Sequence, residues 1–204
     1  MTTTRPFAIR IHGRGGQGVV TAAELLSVAA YRAGRYAQAF PSFGSERTGA
    51  PVVAFCRIDD RPIRSHEPIA APDVVMVQDP TLLHALNVCE GLLPNGFVLV
   101  NSQRDPQALG LAPLLTRLPQ ITLRTVPATE IARRHLGRPL PNTAMLGALA
   151  ALTGAVALAA LQDAIRERFA GSVGEANAAA AAEAHAWITN DTNRPAIAVE
   201  QATC

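Results

Sequence analysis

The sequence predicts an α/β fold: a doubly wound, mostly parallel sheet with a Rossmann-like first βα unit, an inserted β-hairpin and Ala-rich C-terminal helices. Two observations carry this prediction. Short apolar runs typical of buried parallel strands alternate with segments of helical period, and helical segments rich in alanine follow. A glycine-rich turn at 13–18 also separates the first strand from the first helix. This order is typical of a sheet covered by helices on both faces.

The first predicted unit runs from a strand at 7–11 through the glycine-rich turn to a helix at 19–33, which Gly34 ends. Asp79 and Pro80 are expected to be the N-cap and first residue of a helix that reaches about residue 88. The other predicted strands are 36–40, 51–58, 74–78, 97–101 and 121–126, and the other predicted helices are 128–136, 143–152, 157–169 and 173–187.

Two segments need a separate interpretation. Residues 59–62 contain Asp-Asp and Pro, and they are expected to turn the 51–58 strand back onto 63–64 as a hairpin. The apolar run 144–161 is rich in Ala, Gly and Thr and lies next to polar segments, so it predicts buried helix rather than a membrane span.

The length of 204 residues predicts one domain, at 1–188, followed by an extended C-terminal tail at 189–204 that contacts a partner. The N-terminus lacks the apolar core of a signal peptide, and the few cysteines suit a reducing compartment. A cytoplasmic location is therefore expected.

The charge pattern argues against nucleic-acid and membrane partners, because the net charge is +2 and no block of like charge reaches five residues. All 18 cationic side chains are arginine. The absence of lysine excludes Schiff-base and Walker-type lysines, and each guanidinium offers a planar fork for carboxylates or phosphates.

The three cysteines, Cys56, Cys89 and Cys204, are too few and too widely spaced to hold an iron–sulfur cluster or a structural zinc ion. No metal site is therefore expected. No catalytic constellation stands out either, since Glu24 and Glu46 are not paired by spacing and no serine lies in a nucleophile elbow. Among the five histidines, His12 alone lies at the glycine-rich turn, where it is either structural or a ligand contact.

The glycine-rich turn fits G-x-G-x-x-G at Gly13, Gly15 and Gly18, a pattern that favours an anion at a helix start. A dinucleotide site also needs an acidic residue at the end of the second strand, and none occurs before Glu46. Two interpretations stay open. The glycines serve only to pack the helix on the sheet, or the turn meets a phosphate or a partner.

The polar loop at 41–50 follows the second strand, so it is expected at the same carboxyl edge of the sheet as the glycine-rich turn. Its polar side chains include Ser42, Glu46 and Arg47. The loop is either an internally bonded surface connection or part of a binding edge.

Three long segments resemble the gamma subunits of the 2-oxoacid:ferredoxin oxidoreductases: RIHGRGGQGVVTAA at 10–23, YAQAFPSFGSERTGAPV at 36–52 and PNTAMLGA at 141–148. Their motifs are most similar to those of the pyruvate type. Shorter matches lie at 72–75, 100–101 and 176–177, so the resemblance covers nearly the whole chain.

The resemblance implies a role in a multi-subunit enzyme that converts a 2-oxoacid and coenzyme A (CoA) to an acyl-CoA and carbon dioxide. Thiamine diphosphate, Mg²⁺ and [4Fe–4S] clusters would serve that complex, none of them held by this chain alone. The implied partners are alpha, beta and delta subunits. The chain would be non-catalytic, supporting assembly and CoA access. The residues expected at its CoA- or partner-facing edge are Gly13, Arg14, Gly15, Gln17, Gly18, Ser42, Glu46, Arg47 and Asn142.

Two other functions stay open at this point. One is a free-standing nucleotide-binding module that uses the glycine-rich turn, and the other is an indolepyruvate-type oxidoreductase subunit. The 2-oxoacid that the complex would oxidise is not determined by this sequence, because its selectivity is expected to be set mainly in the other subunits.

Overall fold

A six-stranded mixed sheet forms the centre of the computed structural model, which describes residues 5–42 and 49–191. Its strands are β1 (Phe7–Arg14), β2 (Tyr36–Pro41), β3 (Pro51–Asp59), β4 (Val74–Val77), β5 (Phe97–Asn101) and β6 (Thr122–Val126). Their order across the sheet is β2-β3-β1-β4-β5-β6. Strands β1, β4, β5 and β6 are parallel, whereas β3 pairs antiparallel with both β1 and β2.

Helices cover the sheet on both faces. They are α1 (Val19–Arg32), α2 (Leu82–Ala85), α3 (Ala112–Arg117), α4 (Ala128–Leu136), α5 (Asn142–Thr153), α6 (Leu158–Arg168) and α7 (Gly171–Asp191). One face of β1 and β4, which carries Ile9, Ile11 and Met76, packs in a core with α1 and α4–α7. The other face, which carries Val75 and Val77, packs against the shorter α2 and α3 and the loops around them. The predicted doubly wound α/β fold is therefore confirmed.

The antiparallel hairpin is present, but its strands differ from the predicted ones. The β3 strand pairs with β2, in register from Tyr36 opposite Asp59 to Pro41 opposite Ala54, and residues 63–64 form no strand. The expected turn onto 63–64 is therefore wrong. The segment that follows β3 is instead held by Arg57, whose guanidinium donates to the carbonyls of Ser65 and Glu67.

The helix expected at 79–88 is also wrong in extent, because α2 has only four residues. Asp79 is not its N-cap. The Oδ1 atom of Asp79 instead accepts hydrogen bonds from Thr81, from its N–H at 3.0 Å and its hydroxyl at 2.6 Å, which forms a tight turn. The short α3 was not predicted from the sequence at all.

The C-terminal helices agree closely with the predicted ones, and α5 and α7 pack in very close contact. Gly147 of α5 faces the backbone of α7, where a Cβ at position 147 would lie 1.9 Å from the Ala181 carbonyl oxygen. The α7 helix continues to Asp191, so the first residues of the predicted extended tail are helical. The rest of that tail, 192–204, lies outside the described residues.

The long apolar run at 144–161 is divided between α5 and α6 by Gly154, which has φ +64° and ends α5. Every residue of α5 from Asn142 to Ala150 is buried. Within the ranges 5–42 and 49–191, no helix combines the length and the apolar character needed to cross a membrane.

Candidate functional site

The carboxyl ends of β1, β4 and β5 meet the start of β3 at one edge of the sheet, which we call the carboxyl edge. The sheet has its topological switch point between β1 and β4, because the chain leaves β1 through α1 toward β2 and β3, while β4–β6 continue on the other side. In open α/β sheets this is where ligands bind. The glycine-rich turn follows β1 at this point.

The last residues of the loop after β2, Gly49 and Ala50, lie beside the glycine-rich turn, as the sequence predicts. The N–H of Gly15 donates to the Ala50 carbonyl at 2.9 Å, and the N–H of Gly49 donates to the Gly15 carbonyl at 3.2 Å. At the other end of the loop, the N–H of Ser42 donates to the Val53 carbonyl at 2.8 Å. Glu46 and Arg47 lie outside the described residues.

Arg14 joins three segments of the carboxyl edge. Its Nε donates to Asp79 Oδ2 at 2.9 Å, its Nη1 to the Gly49 carbonyl at 3.0 Å and its Nη2 to the Thr81 hydroxyl at 2.8 Å. Burial alone would raise the pKa of Asp79, but hydrogen bonds from Thr81 and the charge of Arg14 together hold that pKa below its ordinary value. The Arg14 charge is therefore already paired with a carboxylate.

Gln17 completes the turn from within. Its Oε1 accepts the N–H of Arg14 at 2.8 Å, and its Nε2 donates to Asp79 Oδ2 at 3.3 Å. Gly13 also has a packing role, since a Cβ there would lie 2.6 Å from Cγ2 of Val19. The packing interpretation of the glycines thus holds at Gly13.

Gly18 and Asn142, far apart in the sequence, meet at this edge. Gly18 adopts φ +71°, and a Cβ on it would lie 2.5 Å from Nδ2 of Asn142, the first residue of α5. Only glycine fits a left-handed conformation with so close a neighbour. The starts of α1 and α5 are therefore in contact.

His12 is buried on the sheet face opposite α1, next to Val53 on β3 and Val77 on β4. Neither ring nitrogen has a hydrogen-bond partner in the part of the chain that the structure describes. Burial, together with the nearby charge of Arg10, lowers the pKa of His12 to about 4. The ring is therefore neutral at physiological pH and does not supply a positive charge to the edge.

Replacing His12 by leucine is expected to flatten the pH dependence of stability in mild acid. The folded state binds the His12 proton less tightly than the unfolded state, whose pKa is about 6.5. The stability due to neutral His12 is therefore complete above pH 6.5 and is lost as the pH falls toward 4. In denaturant unfolding, the free energy of unfolding of the wild type should fall by up to about 1.4 kcal/mol more per pH unit in this window than that of His12→Leu. Parallel curves would contradict this, and His84→Leu, at a more exposed site, is the control.

A family model described as pyruvate ferredoxin/flavodoxin oxidoreductase matches residues 8–187. The gamma subunit common to the pyruvate and ketoisovalerate oxidoreductases of Thermococcus kodakarensis is 52% identical over 176 residues, which cover 86% of this chain and 94% of the relative. The chain belongs to the pyruvate ferredoxin/flavodoxin oxidoreductase family, among its gamma subunits. The pyruvate synthase subunit PorC of Methanothermobacter thermautotrophicus is 48% identical over 180 residues, 88% of this gamma subunit and 94% of the relative.

Solved structures agree with the fold of this gamma subunit. The crystal structure of the pyruvate oxidoreductase subunit PORC from Thermotoga maritima has a TM-score of 0.76 and 40% identity, and the match covers 90% of this chain and 97% of that one. The 2-oxoglutarate:ferredoxin oxidoreductase of Magnetococcus marinus, at 17% identity and a TM-score of 0.72, matches 92% of this chain with 32% of its own and supports the fold alone.

Three residues of the gamma subunit's carboxyl edge are not predicted there from the sequence: Asp79, Thr81 and Gln78. The sequence favours Asp79 as a helix cap, although an acidic residue that directly follows a buried parallel strand also stands at the carboxyl edge. Gln78 is entirely buried at the end of β4. A polar residue that ends an otherwise apolar strand was the available signal.

Proposed function

We propose that this chain is the non-catalytic gamma subunit of a thiamine diphosphate-dependent oxidoreductase that converts a 2-oxoacid and CoA to an acyl-CoA and carbon dioxide and passes electrons to a ferredoxin-type acceptor. The single observation that carries the proposal is the family match over 8–187, joined by relatives near 50% identity that are named gamma subunit or PorC. Alpha, beta and delta subunits are the proposed partners.

The residues that the structure describes do not fit a resident metal ion or iron–sulfur cluster. Cys56 lies in the core on the α1 side of the sheet and Cys89 in the core on the other side. Burial raises the pKa of Cys56 to about 12, which disfavours the thiolate that a cluster needs. Among residues 5–42 and 49–191, no group of three or more His, Cys, Asp and Glu side chains could hold a metal ion. We propose that the clusters and thiamine diphosphate are held by the partner subunits.

The carboxyl edge is the part of the chain that we propose faces CoA and the catalytic subunits. Glycine-rich backbone, two helix starts and residues 49–50 converge there. Arg14 is engaged with Asp79, so its role is to hold the edge together. Arg47 is the cation of the 41–50 loop by sequence, and we propose that it meets a phosphate of CoA.

The choice of 2-oxoacid is proposed to lie outside this chain. The Thermococcus kodakarensis relative is named as the common subunit of a pyruvate and a ketoisovalerate oxidoreductase. If one gamma subunit serves two substrates there, a similar chain does not need to contact the variable part of either acid.

An Arg47→Ala variant in the assembled complex tests the CoA role. The KM for CoA is expected to rise about tenfold, equivalent to about 1.4 kcal/mol, because one charge-assisted hydrogen bond is lost. The kcat should stay near wild type. Arg61→Ala removes the same charge just beyond β3, at the opposite edge of the sheet, and should leave the KM unchanged. An unchanged KM in intact Arg47→Ala complex would rule out the CoA contact.

Co-purification tests the subunit role itself. The tagged chain should bring down larger, cluster-bearing chains, and the assembly should turn over a 2-oxoacid only when CoA is present. A stable monomer that binds nucleotide alone would instead support the free-standing binding module.

A further inference from the structure

Helices cover the two faces of the sheet unequally. Among the described residues, α1 and α4–α7 pack on one face, whereas the opposite face of β4 and β5 has only α2, of four residues, and α3, of six. No residue of α3 is buried. The apolar layer over this face is therefore thin, and five of its leucines stay partly exposed: Leu83, Leu86, Leu114, Leu115 and Leu118.

A cavity of about 330 Å³ lies between α2 and α3. Its walls are mainly apolar and include Leu83, Leu111 and Leu114, together with Leu86, which is 42% exposed. A cavity of this size accepts a small ligand or the anchoring side chains of another protein. Because it lies on the face opposite α1, it is separate from the glycine-rich turn and from the contact between α1 and α5.

The cavity has positive charge beside its apolar walls. Arg117 and His84 line it, and none of the described residues that line it is acidic. The exposed Arg117 forms no ion pair or hydrogen bond with any residue in the ranges 5–42 and 49–191. Arg32 and Arg134, on the more thickly covered face, are instead paired with Glu167 and Glu183. Arg117 therefore offers an unused guanidinium fork next to an apolar cavity.

Cys89 shows that the Arg117 charge acts at the cavity wall. This residue lines the cavity and is only 6% exposed. Burial raises the pKa of its thiol, and the charges of Arg10 and Arg117 act against that rise. The carboxylate of Glu90 is also near, where it interacts with the charge of Arg10. The wall thus has two arginines close to it and one carboxylate, which acts on the inner arginine.

We propose that the cavity between α2 and α3 is a docking site for a partner subunit of the same oxidoreductase, which inserts an apolar side chain between the leucines and places a carboxylate against Arg117. Removing the partly exposed leucines from water favours an apolar occupant. The unpaired guanidinium favours an acidic one, because a carboxylate matches its planar fork. This inference rests on the proposed function, since it requires the other subunits of the complex.

Arg117→Glu in the full chain tests the charge complementarity. The free variant should melt with wild type, because Arg117 is exposed and loses no bond within the described ranges. Its dissociation constant from the other subunits is expected to rise about tenfold or more, because the new carboxylate repels that of the partner. Arg117→Lys keeps the charge and should recover most of the affinity. Arg61→Glu makes the same reversal at an exposed bend beyond β3 and should leave the constant unchanged.

Thiol labelling of Cys89, followed by mass spectrometry of its peptide, reports whether the cavity is occupied. Assembly should slow this labelling about tenfold or more relative to the free chain, since the partner closes the cavity. Cys56, fully buried on the α1 side of the sheet, is the internal control and should label equally slowly in both states. The assembled Arg117→Glu complex should keep the wild-type KM for CoA, because the cavity is separate from the carboxyl edge.

Two results would each overturn the docking site: a wild-type dissociation constant for Arg117→Glu, or equal labelling of Cys89 in the wild-type complex and the free chain. Protection of Cys89 in the free chain by hexanoate, with none on assembly, would identify a small carboxylate as the occupant and would also overturn it. Protection that grows with the concentration of the free chain alone would do the same in favour of a second copy. These results leave the subunit role standing. A wild-type chain that binds no larger subunits would refute the proposed function and the docking site together.

Discussion

Gly147→Ala is expected to lower the free energy of unfolding by about 3 kcal/mol, because the added methyl group meets backbone that cannot rotate away. A Cβ at position 147 would lie 1.9 Å from the carbonyl oxygen of Ala181 and 2.7 Å from its Cα. Alanine improves helix propensity by only about 1 kcal/mol, which the forced separation of α5 and α7 outweighs.

Thermal unfolding of the full chain measures this effect, with an expected fall in Tm of about 10 °C. Ala179→Ser adds one heavy atom at an exposed site on α7 and serves as the matched control. A Gly147→Ala protein that melts with wild type would mean that the two helices separate at little cost, contrary to the close packing described here.

Arg10→Met is expected to destabilise the chain by about 3 kcal/mol, at roughly 1 kcal/mol for each of three carbonyls that lose their donor. The Arg10 guanidinium, on the face of β1 opposite α1, donates to the carbonyls of Ile69 at 3.2 Å, Val88 at 2.9 Å and Glu90 at 2.5 Å. It is 9% exposed, and burial lowers its pKa from the ordinary value, an effect that the nearby Cys89 and Glu90 partly offset. Methionine keeps the apolar stem but has no donor.

Arg10→Met is measured by denaturant unfolding and by thiol labelling of Cys89. This buried cysteine lies between Val88 and Glu90, whose carbonyls accept hydrogen bonds from Arg10. We expect Cys89 to label faster in the variant, as its segment loosens. Arg32→Met removes an exposed ion pair to Glu167 and should change the free energy of unfolding little, with no change in the labelling of Cys89. Equal stability of Arg10→Met and Arg32→Met would show that water donates hydrogen bonds to the three carbonyls in place of Arg10.

The glycine-rich turn shows which features of the candidate site can be predicted from the sequence. G-x-G-x-x-G after a strand placed Gly13 and Gly18 correctly, because the pattern encodes local backbone geometry. The sequence also predicts Arg14 at the edge that faces CoA or a partner, but the pattern gives no sign of its ion pair with Asp79. Asp79 is 65 positions away and comes alongside Arg14 only when β1 pairs with β4.

The predicted hairpin failed for a related reason. The Asp-Asp-Arg-Pro turn at 59–62 is a sound local signal, and the chain does bend there. The edge of β3, however, is already occupied by β2, which is joined to it through the 41–50 loop. Competition between two possible strand partners is decided by the whole sheet and not by a turn.

The sequence by itself determined the α/β class, the position of most strands and helices and the family, since these follow from hydrophobic period, glycine spacing and long contiguous motifs. Tertiary structure alone decided which polar groups at the carboxyl edge are already bonded and which are left open. The ion pair of Arg14 and the contact of Gly18 with Asn142 each join residues that are distant in sequence. The buried amide of Gln78 finds no hydrogen-bond partner among residues 5–42 and 49–191, which only the packed structure can show. Hydrogen bonds depend on distances of a few tenths of an ångström, and only the packed sheet and helices set those distances.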